Sequence, residues 1–168
     1  METKNFTVRK ATIDDCDIIL HLIALLAEYE KEPESAIATK EDLLKYGFTD
    51  NPLFYCILAE IEGNVIGFAL YFLTFSTWQG KPGIYLEDLF VIPAYRGLGI
   101  GKALMKTVAQ HGVEMNCTRM TWQVLDWNTP AIDFYQRCGA RHLSEWFTYR
   151  LEGDSLRNFA ADNTSTIL

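Results

Sequence analysis

A mixed α/β sheet with helices packed against it is the architecture this sequence predicts, and three observations predict it. Apolar residues recur at helical spacing between residues 18 and 29 and again after residue 100. Between those stretches lie runs rich in β-branched and aromatic residues, and the junctions carry capping and turn signals. The 168 residues, 49% of them hydrophobic, suffice for one closed core and would leave two full domains cramped. With no internal repeat or linker, the expectation is one domain over residues 1–168, its core at about 5–151 and a polar tail at about 161–168.

Residues 5–10 alternate as a first strand would. Thr12-Ile-Asp-Asp15 resembles a capping box in which the Thr12 side chain accepts from the next turn's amides, and a helix follows on Ile18, Ile19, Leu22, Ile23, Leu25, Leu26 and Tyr29 until Pro33 breaks it. Thr39-Lys-Glu-Asp42 opens a shorter helix that Gly47 closes. Leu53–Ile61 and Val65–Phe75 read as antiparallel strands joined at Glu62-Gly63-Asn64. After STWQGKPG comes a third strand, Ile84–Ile92, then a glycine segment and a helix from Ile100 to Met115 with Ile100, Leu104, Val108 and Met115 on its apolar face. A strand at Thr118–Leu125, a helix at Thr129–Cys138 ended by Gly139, and a last strand at Trp146–Leu151 complete the order.

Twenty-two acids against fifteen bases give a net charge of −7, which disfavours nucleic acid and anionic membrane surfaces and favours a small cationic partner. Cys16, Cys56, Cys117 and Cys138 form no C-x-x-C pair, so the expectation is reduced thiols in a cytoplasmic protein. The N-terminal METKNFTVRKATIDD lacks an apolar core of signal-peptide length, and no stretch approaches the roughly 18 apolar residues that span a bilayer. His21, His111 and His142 show no metal-binding spacing, so no metal is expected.

The segment VIPAYRGLGIGKAL sets Gly97, Gly99 and Gly101 between a strand and a helix. A P-loop fails, because Ala103 follows Gly101-Lys102 and Arg96 stands five before Gly101; a dinucleotide fingerprint fails at Lys102 and Leu104. What remains is R-x-x-G-x-G, whose successive N–H groups and helix dipole suit a pyrophosphate, with Arg96 and Lys102 adding charge. On the motif alone, a flexible turn with a glycine-assisted helix start is an equal account.

Together with WNTPAIDFYQRCGA, this segment resembles the GNAT N-acetyltransferase superfamily. YGFTDNPLFYCILAE, YFLTFSTWQGK, YLEDLFVIPAYRGLGIG and VLDWNTPAIDFYQRCGA are similar to the diamine acetyltransferases, and STW and VLDWN to their thialysine N-acetyltransferase branch, over roughly residues 5–150. The resemblance implies a mostly antiparallel sheet with splayed central strands and acetyl-CoA as co-substrate. Its pyrophosphate would lie on Arg96, Gly97, Leu98, Gly99, Ile100, Gly101 and Lys102. Its pantetheine arm would lie in a gap between the strands at Ile84–Ile92 and Thr118–Leu125, beside the main chain of Leu89, Phe90 and Val91, with Asn128, Ala131 and Arg137 as further contacts. A homodimer is implied, with pockets that draw on both subunits.

Glu87 and Asp88 interrupt an apolar strand, and a period of two sends them to opposite faces. One carboxylate paired with a structural arginine and the other in water would be the plain account. The resemblance instead puts such acids in the amine pocket, with Glu87 first choice to relay the ammonium's proton. Tyr29, Glu30, Trp78 and Asp88 join it as substrate-binding residues, as does Glu145, although the family's longer Glu-Gly-Trp segment reads SEWF here. Helix periodicity alone would make Tyr135 a packing residue; it coincides with the family's catalytic tyrosine, which protonates the leaving thiolate. The expected activity is direct acetyl transfer from acetyl-CoA to the primary amine of a small cationic metabolite such as thialysine or lysine. Polyamines are the alternative substrates, and a protein-acetylating enzyme or a non-catalytic acyl-CoA-binding module the alternative classes.

Overall fold

The computed structural model describes residues 5–161, and the chain forms two compact units that divide between Gln123 and Val124. The first is built on a five-stranded sheet ordered β1 (Thr7–Lys10), β2 (Tyr55–Ile61), β3 (Asn64–Ser76), β4 (Lys81–Val91) and β5 (Met120–Thr121). Neighbours are antiparallel except β4 and β5, which run parallel. Between β2 and β3 the turn needs a left-handed backbone, which Glu62 (φ 52°) and Gly63 (φ 78°) supply.

Helix α1 (Cys16–Tyr29) covers one face of the sheet with α2 (Lys40–Gly47) beside it. Cys16, Ile19 and Leu22 of α1 meet Cys56, Leu58, Phe68, Leu70 and Phe90 in one cluster, as the helical period of the sequence predicts. Helix α3 (Ile100–Glu114) packs on the sheet through Ile100, Leu104, Met105 and Val108, and at Gly112 it comes so close that a Cβ would stand 2.7 Å from Ile84 Cδ1. Near its C-terminus His111 Nδ1 lies 2.8 Å from the buried Tyr71 hydroxyl, and its ring stands edge-on to Tyr55 and Tyr71. Burial holds that imidazole's pKa below its ordinary value.

Thr39 caps α2 as expected: its Oγ1 accepts from the Asp42 N–H at 3.2 Å, and Asp42 accepts from the Thr39 N–H at 2.9 Å. The expected capping box also forms between Thr12 and Asp15. Thr12 gives its N–H (2.7 Å) and hydroxyl (3.0 Å) to Asp15, whose carboxylate also receives Arg9. Asp15 closes a short 3-10 turn, Ile13–Asp15, that precedes the helix.

The strand predicted at Thr118–Leu125 reduces to Met120–Thr121, pairing only with Ile84 and Tyr85. No strand forms at Trp146–Leu151: Trp146, Phe147 and Tyr149 have the right composition but no ladder partner and are exposed, and β propensity without a partner does not make a strand. The second unit contains α4 (Thr129–Arg137), ended by Gly139 at φ 86°, and an unexpected α5 (Gly153–Ala161). Beyond Ala161 the predicted polar tail lies outside the described residues.

All four cysteines are free thiols, and no helix among the described residues is long and apolar enough to cross a membrane.

Gly67 lies opposite Val91, and a Cβ there would stand 2.8 Å from the Phe90 carbonyl oxygen. Gly67→Ala is therefore expected to cost about 1–3 kcal/mol through overpacking of β3 on β4. Urea titration should give a lower midpoint at unchanged slope; an unmoved midpoint would mean that β4 yields freely.

Candidate active site

The turn from β4 into α3 leaves main-chain amides bare. Gly99 is the N-cap of α3 in the left-handed region (φ 82°, ψ 2°), and no side chain caps the helix. The orphan N–H groups of its first turn are thus left for a ligand. Gly97 also has φ 82°, and open space surrounds the place where a Cβ would sit at either glycine. A pyrophosphate fits such a cradle, with Lys102 exposed beside it. Leu98 is half exposed at its crest, whereas the Ile100 side chain is buried, so Ile100 offers only main chain.

The preceding strand carries a bulge. Leu70 of β3 faces Asp88 and Tyr71 faces Leu86, so Glu87 is an extra residue without a ladder partner. The extra residue inverts the parity of the strand beyond it. Asp88 and Phe90 now point to the α1 face with their partners Leu70 and Phe68, instead of Asp88 sharing the α3 face with Leu86 and Tyr71. Strict alternation therefore misplaces these acids: Glu87 stands exposed at the bulge, and Asp88 is drawn under α1.

Glu30, the C-cap of α1, is one charge that raises the pKa of Asp88 there; Tyr29 beside it meets the Phe90 ring at 6.5 Å. Burial above all, then the charges of Glu87 and Glu30, pushes the Asp88 carboxyl up to about 7. Burial likewise raises Glu30. Arg96 links cradle and acids: its Nε donates to the Val91 carbonyl at 2.9 Å, and its guanidinium lies 4.4 Å from the centre of the Tyr29 ring.

Beyond Leu86 one edge of β4 has no strand partner among the described residues, since β5 pairs only with Ile84 and Tyr85. Ile92 donates to Ile66 across the β3 side, and alternation turns the amides of Val91 and Leu89 toward the open edge. Phe90, on the other parity, keeps its side chain in the core. The open edge is what an extended amide-bearing arm needs.

In the second unit Asn128 is the buried N-cap of α4, but its carbonyl, not its side chain, serves the helix by accepting from Ala131 and Ile132. Tyr135 is half-buried, its ring 5.3 Å from Phe134, and Arg137 is exposed. Glu145 pairs with Arg141 at 3.3 Å, so its charge is already answered. Trp78, 90% exposed, stands at the β3–β4 turn, about seven residues or roughly 23 Å along β4 from Asp88. The structure thus brings together Tyr29, Glu30, Glu87, Asp88 and Arg96, and leaves Trp78 apart.

The sequence pattern of the Acetyltransferase (GNAT) family matches residues 19–140, nearly three quarters of the chain. The chain belongs to that family. Among relatives of this GNAT protein, the thialysine N-epsilon-acetyltransferase of Sus scrofa is 42% identical over 164 residues, covering 91% of this chain and 96% of that enzyme. The human spermidine/spermine N(1)-acetyltransferase-like protein 1 is 39% identical over 92% of this chain but 24% of its own length. An integron cassette protein from the mobile metagenome of V. cholerae superposes with a TM-score of 0.79 at 30% identity, covering 94% of this chain and 98% of that one.

As a GNAT acetyltransferase the protein has a five-stranded, mostly antiparallel sheet, as the resemblance implies. Sequence reasoning missed the Arg96–Tyr29 stack. A cation three positions before Gly99 pointed toward phosphate, and nothing in the local pattern showed an aromatic ring from α1 beneath it.

Proposed function

We propose that this GNAT enzyme transfers an acetyl group from acetyl-CoA to the primary amine of a small cationic amino acid of the thialysine or lysine type. One observation carries the proposal: a cradle of bare amides at Gly97–Lys102 adjoins a group of acids that pairs with no cation among the described residues, a place for a diphosphate next to a place for an ammonium. The similarity to thialysine N-epsilon-acetyltransferases across nearly the full chain supports the substrate class. A polyamine is the second reading, favoured by the spermidine/spermine acetyltransferase-like relative.

In this reading the cradle and the open edge at Leu89 and Val91 aim the thioester, and the edge amides stabilise the oxyanion that forms on its carbonyl. Glu30 and the bulge acids hold the ammonium, and one of them receives its proton, a task the family resemblance gives to Glu87. Tyr135 protonates the departing thiolate, with Asn128, Ala131 and Arg137 as contacts to acetyl-CoA. The family match, residues 19–140, runs across the division at Gln123 and supports reading both units as one catalytic domain.

We place the enzyme in the cytoplasm, on its four free thiols. A homodimer completes the proposal. Exposed Trp146, Phe147 and Tyr149 offer apolar surface for a second copy, and Trp78, too far along β4 to reach the acids of its own strand, suits a pocket drawn from two subunits. Light scattering on the purified protein should give twice the chain mass.

The deciding assay follows free coenzyme A over thialysine, lysine, spermidine, spermine and a histone-tail peptide, with thialysine or lysine expected to lead. Preference for the peptide would move the enzyme to the protein-acetylating class. Tyr135→Phe is expected to lower kcat about 100-fold and leave acetyl-CoA affinity within about twofold, as loss of a general acid requires. Turnover unchanged in that variant would remove the tyrosine from the chemistry.

A further inference from the structure

We propose that Asp88, not Glu87, accepts the proton that the substrate ammonium loses, while Glu87 at the bulge and Glu30 at the end of α1 hold the cation. The inference rests on the amine-acetyltransferase reading above and assigns the chemistry within that site.

Geometry separates the two neighbouring carboxylates. Glu87 is the unpaired bulge residue and is exposed, so water already solvates its charge. Asp88, carried to the α1 face by the bulge, sits opposite Leu70 in a wall that also contains Phe90. The titratable groups around it are Tyr29 and Glu30 of α1, Cys56 of β2 and Glu87 on its own strand; Arg96 is engaged with the Tyr29 ring and the Val91 carbonyl. Among the described residues Asp88 has no hydrogen-bond or ion-pair partner, and the charges next to it are negative. A carboxyl so placed is pushed up to about 7, where a general base for an amine works best. A solvated carboxylate such as Glu87 is a good electrostatic anchor for the ammonium.

In the transfer, the ammonium N–H bond breaks, its electron pair stays on nitrogen, and the proton passes to an Asp88 Oδ. That pair forms the C–N bond at the thioester carbonyl, whose π pair becomes the oxyanion. Collapse restores the carbonyl and breaks the C–S bond, and the pair leaves with sulfur. The second nitrogen proton goes, through the leaving-group acid, to the thiolate, and Asp88 returns the first to solvent. One proton is released per acetyl transferred.

The test measures kcat/KM for lysine or thialysine from pH 6 to 10 in the full chain and in Asp88→Asn and Glu87→Gln. Wild type should rise to a plateau with an apparent pKa near 7. Asp88→Asn should lose about 100-fold in kcat and move the rise toward the pKa of the free amine, about 10. Glu87→Gln should keep a rise, displaced below 7 because a charge that raises Asp88 is gone, and hold kcat within about threefold while raising KM for the amine about tenfold. An Asp88→Asn enzyme that keeps both limb and kcat, or a Glu87→Gln enzyme that loses them, overturns the proposal.

A second readout needs no substrate. A carboxyl whose folded pKa is raised contributes stability below its unfolded value near 4 and loses it as pH climbs through the folded one. The Tm of wild type should therefore fall relative to that of Asp88→Asn between pH 5 and 8. Parallel curves would remove Asp88 as the proton acceptor even if the enzyme acetylates amines. Divergent curves in a protein that acetylates none of them would leave its titration standing and overturn the activity.

Discussion

Gly99→Asp is expected to weaken acetyl-CoA binding about 100-fold while the protein stays folded. The residue caps α3 with φ 82° and ψ 2°, and nothing lies within 4 Å of the position a Cβ would take. A side chain therefore fits the apo protein at the cost of a left-handed backbone, roughly 1–2 kcal/mol of stability. The same open space is where a diphosphate would lie against the amides. A carboxylate about 4 Å from a phosphate is opposed by about 4 kcal/mol at an effective dielectric constant of 20, and salt reduces this. Calorimetry with acetyl-CoA measures the change. Gly99→Ala shares the backbone strain without the charge and should weaken binding by less than about tenfold. Equal losses would assign the effect to backbone geometry, and unchanged affinity in both would place the diphosphate elsewhere.

Much of this cradle was legible because glycine at a strand-to-helix junction has a local physical meaning. The helices were legible for a similar reason: the spacing of Ile19 and Leu22, or of Ile100, Leu104 and Val108, depends on one helix meeting one surface. Where an element depends on a distant partner, the pattern spoke less clearly. Met120–Thr121 pairs with β4 but its apolar continuation does not, and Trp146–Leu151 has the composition of a strand without a ladder. Helix α5 escaped notice because Leu156 and Phe159 are its large apolar residues, too few to show a period.

The acids of the candidate site show the sharpest limit. A binary pattern locates Glu87 and Asp88 on β4, but a single inserted residue decides which face each takes, and a bulge leaves no composition signal when its residue is a glutamate instead of glycine. The consequence is chemical. With strict alternation Asp88 would share a face with Leu86 and Tyr71 on the α3 side; with the bulge it joins Glu30. The resemblance put the proton relay on Glu87 and left Asp88 among the substrate-binding residues; the register is the ground for the opposite assignment proposed above.

Arg9→Met is expected to destabilise the fold by about 2–3 kcal/mol. From β1, Arg9 reaches Asp15 through both terminal nitrogens, at 2.7 and 2.8 Å, and Glu60 of β2 through Nε at 2.8 Å. One guanidinium thus joins two strands to the turn that starts α1. The side chains of Asp15 and Glu60 are 12% and 18% exposed, so methionine would leave two poorly solvated carboxylates facing each other. Breaking a buried pair costs about 3–5 kcal/mol, and the 37% exposure of Arg9 calls for the reduction made here. The sign with pH is fixed by Asp15. The Arg9 guanidinium, more than its Thr12 hydrogen bonds, holds that carboxyl well below its ordinary range, so its contribution is present above pH 4 and is lost as pH falls toward the folded value. Chemical denaturation should show the widest gap between wild type and Arg9→Met near pH 7, narrowing below pH 4. A gap that is constant with pH would mean that Arg9 acts through packing of its alkyl stem. Because the cluster lies on β1, β2 and the α1 start, with β3 between it and β4, kcat at temperatures well below unfolding should stay within about twofold of wild type.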